Sequence, residues 1–254
     1  MPRIVVEPTE GPPMTLVPRA ICFDLDDTLW EVQPVLRRAE ARVQAYLEAE
    51  HPKLAPQLSV EAMFSARRTL AAEVPERAHD MTWLRTEALR RLATHHGHDP
   101  VIGDRAFEVF IAARHEVEFY PEVTTALSKL ASRFRLASFS NGNACVHRIG
   151  IGHHFEVTLN AESVGRAKPH PEVYLTVARA LGISPSELLH VGDHLENDIR
   201  GAAEAGCRTA WINRRGLSWS PEFGSPPDLE VIDLEGLIGR LVGEETRLRR
   251  SRRP

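Results

Sequence analysis

Hydrophobic and polar positions follow a helical period through one continuous stretch of the chain. From residue 31 to about residue 120, apolar residues recur at every third or fourth position, which places them on one face of a helix. Four such stripes can be distinguished, at about 35–47, 60–70, 81–92 and 106–117. Because no strand-like run separates them, this stretch is predicted to form a small bundle of four helices.

The rest of the chain alternates between short apolar runs and helical segments. The first run is 20–23, and further runs lie at 134–139, 155–159, 188–191 and 207–212. The helical segments that precede the later runs lie at about 122–132, 143–150, 170–181 and 195–205. This alternation predicts an α/β fold, in which a parallel sheet is connected by crossover helices. The helical bundle is then an insertion after the first strand.

The pattern divides the chain into two predicted domains and two terminal segments. Residues 19–30 and 121–245 are expected to form the α/β core, and residues 31–120 the inserted helical domain. Residues 1–18 are rich in proline and are predicted to be a flexible extension. Residues 246–254 form a basic tail, for which we expect solvated disorder.

Composition and charge exclude several classes of function. The 254 residues carry a formal net charge of −4, so no global basic field indicates a nucleic-acid partner. No segment approaches the roughly 20 apolar residues of a membrane span. Cys22, Cys145 and Cys207 are far apart and match neither a zinc site nor a disulfide framework. Together with the lack of a signal-peptide pattern, these features predict a cytoplasmic protein.

Polar residues follow the apolar runs where the predicted strands end. In a parallel sheet, the loops at the carboxyl ends of the strands share one edge, where ligands bind. Asp24 and Asp26 follow the first strand, and side-chain alternation lets both leave on the same side. Two carboxylates held together resist joint ionisation unless a cation or a proton lies between them. The pair therefore suggests a Mg²⁺ site with one acid left for proton transfer.

The other groups expected at this edge suit phosphoryl transfer, which depends mainly on positioning and charge neutralisation. A carboxylate can attack phosphorus, and a second carboxylic acid can protonate the leaving oxygen and then take a proton from water. Asp24 and Asp193 could supply the few carboxylates that Mg²⁺ prefers. Lys168, the Ser140 hydroxyl and backbone donors near residues 141–142 could hold the phosphoryl group.

These residues resemble, in order, the four sequence motifs of the haloacid dehalogenase superfamily of hydrolases. The match runs from Ala20 to about Ile212, and its motifs are Asp24 to Thr28, Ser140 with Asn141 and Gly142, Lys168, and Gly192-Asp193 with Asn197-Asp198. The resemblance implies a Rossmann-like parallel-sheet core with an inserted helical cap, residues 31–120, that closes over the site.

The resemblance also implies a role for each acid. Asp24 would be the nucleophile and Asp26 the general acid and base. Mg²⁺ would be bound by the Asp24 carboxylate, the Asp26 backbone carbonyl and Asp193. Asp198 would support either the metal or Lys168, the catalytic lysine.

The remaining motif residues would hold the phosphoryl group. By the same resemblance, Ser140, Asn141 and Gly142 would bind it together with Lys168. Thr28 could either orient the acids or bond locally within its turn, and the sequence leaves both open.

Further runs resemble one bacterial branch of the superfamily. That branch contains phosphatases of flavin mononucleotide and of the phosphorylated ribitylaminouracil of riboflavin synthesis, and members also hydrolyse other small phosphates. The partner to be expected is therefore a small phosphorylated metabolite, and the protein could be a monomer or a homodimer. The runs are residues 24–30, 33–35, 51–52, 79–82, 140–144 and 189–193.

Three other functions remain in competition. Hydrolytic dehalogenation, the founding reaction of the superfamily, needs neither Mg²⁺ nor an acid at position 26, so Asp26 and Asp193 argue against it. Phosphoglucomutase-like transfer to a sugar phosphate is not excluded by the sequence. A non-catalytic phosphate-binding or partner-binding module would be favoured by loss of an acid or of the lysine, and none is lost.

Several conspicuous residues are given structural rather than chemical roles. Asp27 is expected to point away from its neighbouring acids and cap a turn. Trp30 is expected to be a packing residue. Arg85 is expected to pair with an acid on a solvated face rather than to reach the substrate. The histidines near 95–98 and 153–154 are predicted to lie on the surface, and His194 could face the entrance of the site.

Overall fold

The computed structural model describes residues 17–251, with side chains described up to residue 242. Six parallel strands form one sheet in the order β3-β2-β1-β4-β5-β6. This confirms the predicted α/β class with a parallel sheet. The strands are β1 Ala20–Phe23, β2 Arg135–Ser140, β3 Val157–Asn160, β4 Leu188–Gly192, β5 Arg208–Ile212 and β6 Leu229–Val231.

The central strand β1 is buried on both faces. Ile21 lies opposite Leu136 of β2 and Leu189 of β4, in parallel register. Because side chains alternate along a strand, Ile21 and Phe23 enter the core on one face of the sheet, and Ala20 and Cys22 enter the core on the other. This burial explains why the run 20–23 is apolar throughout.

Helices cover both faces of the sheet. The face of Ile21 and Phe23 packs against α5 and α10, and the opposite face packs against α8 and α9. The helices of this part are α5 Val123–Ala131, α6 Val146–Ile149, α7 Ala161–Val164, α8 Pro171–Ala180, α9 Gly201–Glu204 and α10 Leu234–Ser251. A π-helical turn, Leu195–Arg200, leads into α9.

The stretch between β1 and α5 forms four longer helices with a hydrophobic core of their own. We call α1–α4 the inserted helices. Their buried residues include Val43, Leu47, Leu89, Ala106 and Phe110, which belong to the predicted apolar stripes. The predicted bundle of four helices is thus confirmed. The division of the chain into two domains stays a prediction. The helices are α1 Val32–Glu50, α2 Val60–Glu73, α3 Met81–His95 and α4 Val101–Arg114.

The structure extends the sequence-based description in two places. The strand β6 and the helix α10 were not among the predicted elements, and α10 continues to Ser251. The backbone of residues 246–251 is therefore helical, where disorder was expected. Residues 1–16, most of the predicted extension, lie outside the described residues. In the described part of the chain, no helix has the length and apolarity needed to span a bilayer.

Candidate active site

The carboxyl ends of β1, β2 and β4, together with the turn before α8, converge on one group of polar side chains. Asp24 directly follows β1, and its backbone N–H donates to the Val191 carbonyl at 2.8 Å, which fixes it beside β4. Ser140 is the last residue of β2 and Gly192 the last residue of β4. The sheet thus brings together residues that lie far apart in the sequence, as the position of the strands predicts.

Lys168 lies at the centre of the group and is buried. Its Nζ donates to Asp24 Oδ1 at 2.6 Å and to Asp198 Oδ1 at 2.7 Å. Both acids are buried as well, so the ammonium and the two carboxylates are largely removed from water. Asp198 is therefore a direct partner of Lys168, which matches one of the two supporting roles expected for it.

Asn141 fixes the backbone of that lysine. Its Oδ1 accepts from the Lys168 N–H at 2.8 Å, and its Nδ2 donates to the Lys168 carbonyl at 3.0 Å. The side chain of Asn141 is thus committed to positioning the lysine, and only its backbone is available for the expected phosphoryl contact.

Burial and mutual charge set the ionisation of these groups. Burial alone would lower the pKa of Lys168, but Asp198 and Asp24 outweigh it and raise that pKa. Burial would raise the pKa of Asp198, but Lys168 and His190 lower it below its usual range. The pKa of Asp24 is raised, because burial and the charges of Asp198 and Asp193 outweigh Lys168. The nucleophile candidate thus lies where a further cation would stabilise its charged form.

Asp193 lies next to this group and forms no ion pair with a cation among the described residues, although the charge of Lys168 acts on it. Burial, followed by the charges of Asp198 and Asp27, raises its pKa to about 7. Thr28 Oγ1 donates to Asp24 Oδ2 at 3.2 Å and lies 3.5 Å from Asp193 Oδ1. Of the two roles left open for Thr28, contact with the acids is therefore the one observed.

The donor set fits a small divalent cation. Carboxylate oxygens of Asp24, Asp193 and Asp198 lie within 4.8 Å of one another. Those of Asp198 already accept from Lys168, His190 and the His194 N–H, which leaves Asp24 and Asp193 as the acids open to a metal. With all four of its carboxylates ionised, the site would carry two negative charges in excess of its two cations. These charged groups are Asp24, Asp26, Asp193, Asp198, Lys168 and Arg114.

Asp26 has partners different from those of Asp24. Its Oδ1 accepts from the indole Nε1 of Trp30 at 2.9 Å. Arg114 Nη2 lies 2.7 Å from Asp26 Oδ1 and 2.6 Å from Oδ2. The two acids of the motif are thus held separately, one by Lys168 and the other by Trp30 and Arg114. Trp30 is buried, as predicted for a packing residue, but it is also a hydrogen-bond donor to the site.

Gly142 lies close against Asp26. Its N–H donates to Ser140 Oγ at 2.9 Å. A Cβ at this position would lie 3.1 Å from Asp26 Oδ2, 3.3 Å from Ser140 Oγ and 3.4 Å from Arg114 Nη2. A side chain here would press on all three groups, so glycine is the residue that fits. We call the pair Ser140 and Gly142, which faces Asp26, the cradle. The expected phosphoryl-binding residues Ser140 and Gly142 therefore lie directly beside the second acid of the motif.

Arg114 and His190 are site residues that the sequence analysis did not predict, although the sequence carries a signal for both. Arg114 follows Phe110 by one turn, so it continues an apolar helical face, and His190 interrupts the apolar run of β4. Both are polar residues at positions that the pattern marks as buried, and both are buried.

Two further residues that were given structural roles, Asp27 and Arg85, make the contacts expected of them. Asp27 Oδ1 accepts from the Val32 N–H at 2.9 Å, which confirms it as a turn cap. Arg85 pairs with Glu40 at 3.0 Å, but the expected solvated face is wrong. Its side chain is 13% exposed and lies 3.5 Å from the Phe110 ring centroid, so it is mostly enclosed between the inserted helices.

We expect Gly192→Ala to impair the site, because a Cβ there would overlap the carboxylate of Asp198. Asp198 would have to move, and with it one of the two acceptors of Lys168. We expect turnover to fall at least about tenfold and the free energy of unfolding to fall by about 1–3 kcal/mol. Gly239→Ala in α10 is the matched control, since nothing lies within 4 Å of a Cβ there. Equal turnover and equal urea midpoints in the two variants would contradict this.

Comparison with known proteins gives a consistent result. A family described as haloacid dehalogenase-like hydrolase matches residues 18–206. The chain is 32% identical over 224 residues to the 5-amino-6-(5-phospho-D-ribitylamino)uracil phosphatase YigB of Escherichia coli, covering 86% of this chain and 94% of that protein. It is also 32% identical over 229 residues to the glyceraldehyde 3-phosphate phosphatase of Methanopyrus kandleri, with 85% and 93% covered.

One protein of known structure that is similar to this chain is named for a different activity. The 2-haloacid dehalogenase from Pseudomonas syringae pv. tomato superimposes with a TM-score of 0.84 at 37% identity, covering 89% of this chain and 98% of that one. The chain is thus similar both to phosphatases and to a dehalogenase.

Proposed function

The chain belongs to the haloacid dehalogenase-like hydrolases, and on this premise we propose that it is a Mg²⁺-dependent phosphatase of small phosphorylated metabolites. The observation that carries the proposal is a second acid, Asp26, beside the cradle, together with a third acid, Asp193, that has a carboxylate oxygen within 4.8 Å of one of Asp24. Attack by one carboxylate needs only Asp24. Proton transfer needs Asp26, and binding of a divalent cation needs Asp193.

The first half of the reaction transfers the phosphoryl group to the enzyme. The Asp24 carboxylate attacks phosphorus, the bond from phosphorus to the leaving oxygen breaks, and Asp26 gives that oxygen a proton. Lys168, bound to Asp24 at 2.6 Å, orients the nucleophile and offsets the negative charge of the transferring group. The product of this half is an aspartyl phosphate on Asp24.

The second half releases phosphate. Asp26, now ionised, takes a proton from a water that attacks phosphorus, and the bond to the Asp24 carboxylate oxygen breaks. Inorganic phosphate leaves, and both acids return to their starting states. The Ser140 hydroxyl and the backbone N–H of Asn141 hold the phosphoryl oxygens in both halves, and the Gly142 N–H, which donates to Ser140 Oγ, keeps that hydroxyl in place.

The Asp24 carboxylate, the Asp26 backbone carbonyl and Asp193 would hold the Mg²⁺. When bound, the ion supplies positive charge that neutralises the phosphoryl oxygens. The raised pKa of Asp193 supports this assignment, because a nearby cation would favour its charged form.

Similarity to YigB supports the phosphorylated ribitylaminouracil as a substrate, with flavin mononucleotide as a second candidate. A cytoplasmic location is part of the proposal, since Cys22, Cys145 and Cys207 are all free thiols. The likeness to a 2-haloacid dehalogenase favours one alternative, in which Asp24 attacks carbon and displaces halide.

One panel of substrates separates these activities. We expect release of phosphate from some of the esters, loss of that release in EDTA, and its recovery when Mg²⁺ is added back. The panel contains the phosphorylated ribitylaminouracil, flavin mononucleotide, glyceraldehyde 3-phosphate, sugar phosphates, nucleoside monophosphates and a 2-haloacid.

The other outcomes each favour a different function. Halide release from the 2-haloacid, unaffected by EDTA, would favour the dehalogenase. Transfer of phosphate between sugar phosphates without net hydrolysis would favour the phosphotransferase, and no turnover of any compound would favour a binding module.

A further inference from the structure

Arg114 is an arginine of the inserted helices that reaches the core. It is the last residue of α4, and yet it is only 2% exposed. Its Nη2 donates to both carboxylate oxygens of Asp26, at 2.7 and 2.6 Å. The position of Asp26 relative to the cradle therefore depends on a residue that the inserted helices supply.

The contact is not what fold stability alone would favour. Burying a guanidinium is costly, and a pair with a single carboxylate repays this cost only when the remaining donors are also satisfied. Asp26 is 24% exposed, and Arg114 Nη1 is buried without a hydrogen-bond partner among the described residues. A buried group left incomplete in this way is more typical of a functional constraint than of packing.

The surroundings show what the contact does to Asp26. Trp30 Nε1 holds Oδ1 from one side, and Arg114 spans both oxygens from another. Arg114 Nη2 also lies 3.4 Å from the place of a Gly142 Cβ, at the margin of the cradle. Together they keep the carboxylate facing the cradle.

Arg114 also lies just before the chain returns to the core. Phe119 pairs with Trp30 through an antiparallel bridge, and the Tyr120 N–H donates to the Leu29 carbonyl at 3.0 Å. The two connections between the core and the inserted helices are thus joined directly beside Asp26. A shift of α4 away from these connections would move the guanidinium away from the carboxylate.

We propose that Arg114 is a positioning residue: it holds the Asp26 carboxylate against the cradle when α4 is seated on the core. Proton transfer by Asp26 then depends on where the inserted helices lie, a consequence that rests on the proposed function. Arg114 acts through Asp26 and does not itself exchange a proton.

The first test is independent of activity. The indole N–H of Trp30 donates to Asp26, so its NMR signal reports where that carboxylate lies. We expect Arg114→Met and Asp26→Asn each to shift or broaden this signal, and Trp30→Phe to identify it among the four tryptophans. Arg91→Met is the matched control, because the ion pairs of Arg91 are with Glu73 and Glu87 on the inserted helices.

The second test uses kinetics. For phosphate esters with poor leaving groups, we expect Arg114→Met to lower kcat/KM about 100-fold, within the range of general acid catalysis. The loss should be smaller for good leaving groups, and KM should change less than about threefold. Arg114→Lys, which keeps the positive charge on a shorter side chain, should recover part of the activity. In an Asp26→Asn background, Arg114→Met should cause little further loss.

The outcomes separate this inference from the proposed function. An unchanged Trp30 signal in Arg114→Met would overturn the positioning role, and so would a full additional loss in the Asp26→Asn background. A raised KM with unchanged kcat would overturn it in favour of substrate binding. If the wild-type protein hydrolyses no phosphate ester, the proposed function fails, and the Trp30 signal still decides whether Arg114 holds Asp26.

Discussion

Replacing Asp24 by Asn is expected to lower turnover of an aryl phosphate in the presence of Mg²⁺ by a factor on the order of 10⁴ or more, as removal of a covalent nucleophile does elsewhere. The amide cannot attack phosphorus, so no aspartyl phosphate forms. The fold should survive, because the residue keeps its volume and its amide oxygen can still accept from Lys168. Steady-state phosphate release and thermal unfolding, measured on the same preparation, check the two parts of this expectation.

Asp27→Asn provides the matched control within the same motif. Asp27 has a φ of 60°, a left-handed conformation that Asn tolerates, and its side-chain contact is with the Val32 N–H. An amide oxygen can make the same contact, so activity should stay within about threefold of wild type. Turnover near wild type in Asp24→Asn would contradict the assigned mechanism, whereas equal loss in both variants would point to damage of the turn.

The sequence predicted best those features that depend on local periodicity and on sheet topology. The run 20–23 becomes the buried central strand, because only a strand covered on both faces accommodates four consecutive apolar residues. Once that strand lies beside β2 and β4, the carboxyl ends of the three strands lie at one edge of the sheet. Asp24, Ser140 and Asp193 stand at those ends and are therefore brought to the same edge.

Contacts between distant elements were predicted least well. Arg114 is separated from Asp26 by the whole of the inserted helices, so no local pattern shows that they meet. Asn141 lies in a recognisable motif, but its bonds to the Lys168 backbone depend on how two loops meet in space. Arg85 was expected on a solvated face, since a helical period does not indicate which neighbour covers a residue.

The role of Lys168 leads to the second large effect, which combines catalysis with stability. We expect Lys168→Met to lose turnover by about 10³-fold or more and to lower the free energy of unfolding by about 3–5 kcal/mol. The reason is that Asp24 and Asp198 would face each other, both buried, without the ammonium that now lies between them. The raised pKa of Lys168 keeps it charged at neutral pH, so its stabilising effect is fully present at pH 7 and is lost only at strongly alkaline pH.

Lys129→Met on the exposed surface of α5 serves as the control, because it removes a lysine of equal size without disturbing a buried pair. Urea unfolding at pH 7 in EDTA should give similar slopes for the wild type and both variants, with a lower midpoint for Lys168→Met alone. A Lys168→Met protein as stable as wild type would mean that one buried acid is protonated without cost. If such a stable variant also had full turnover, Lys168 would have no role in the reaction. If it were stable but inactive, Lys168 would serve catalysis and not stability.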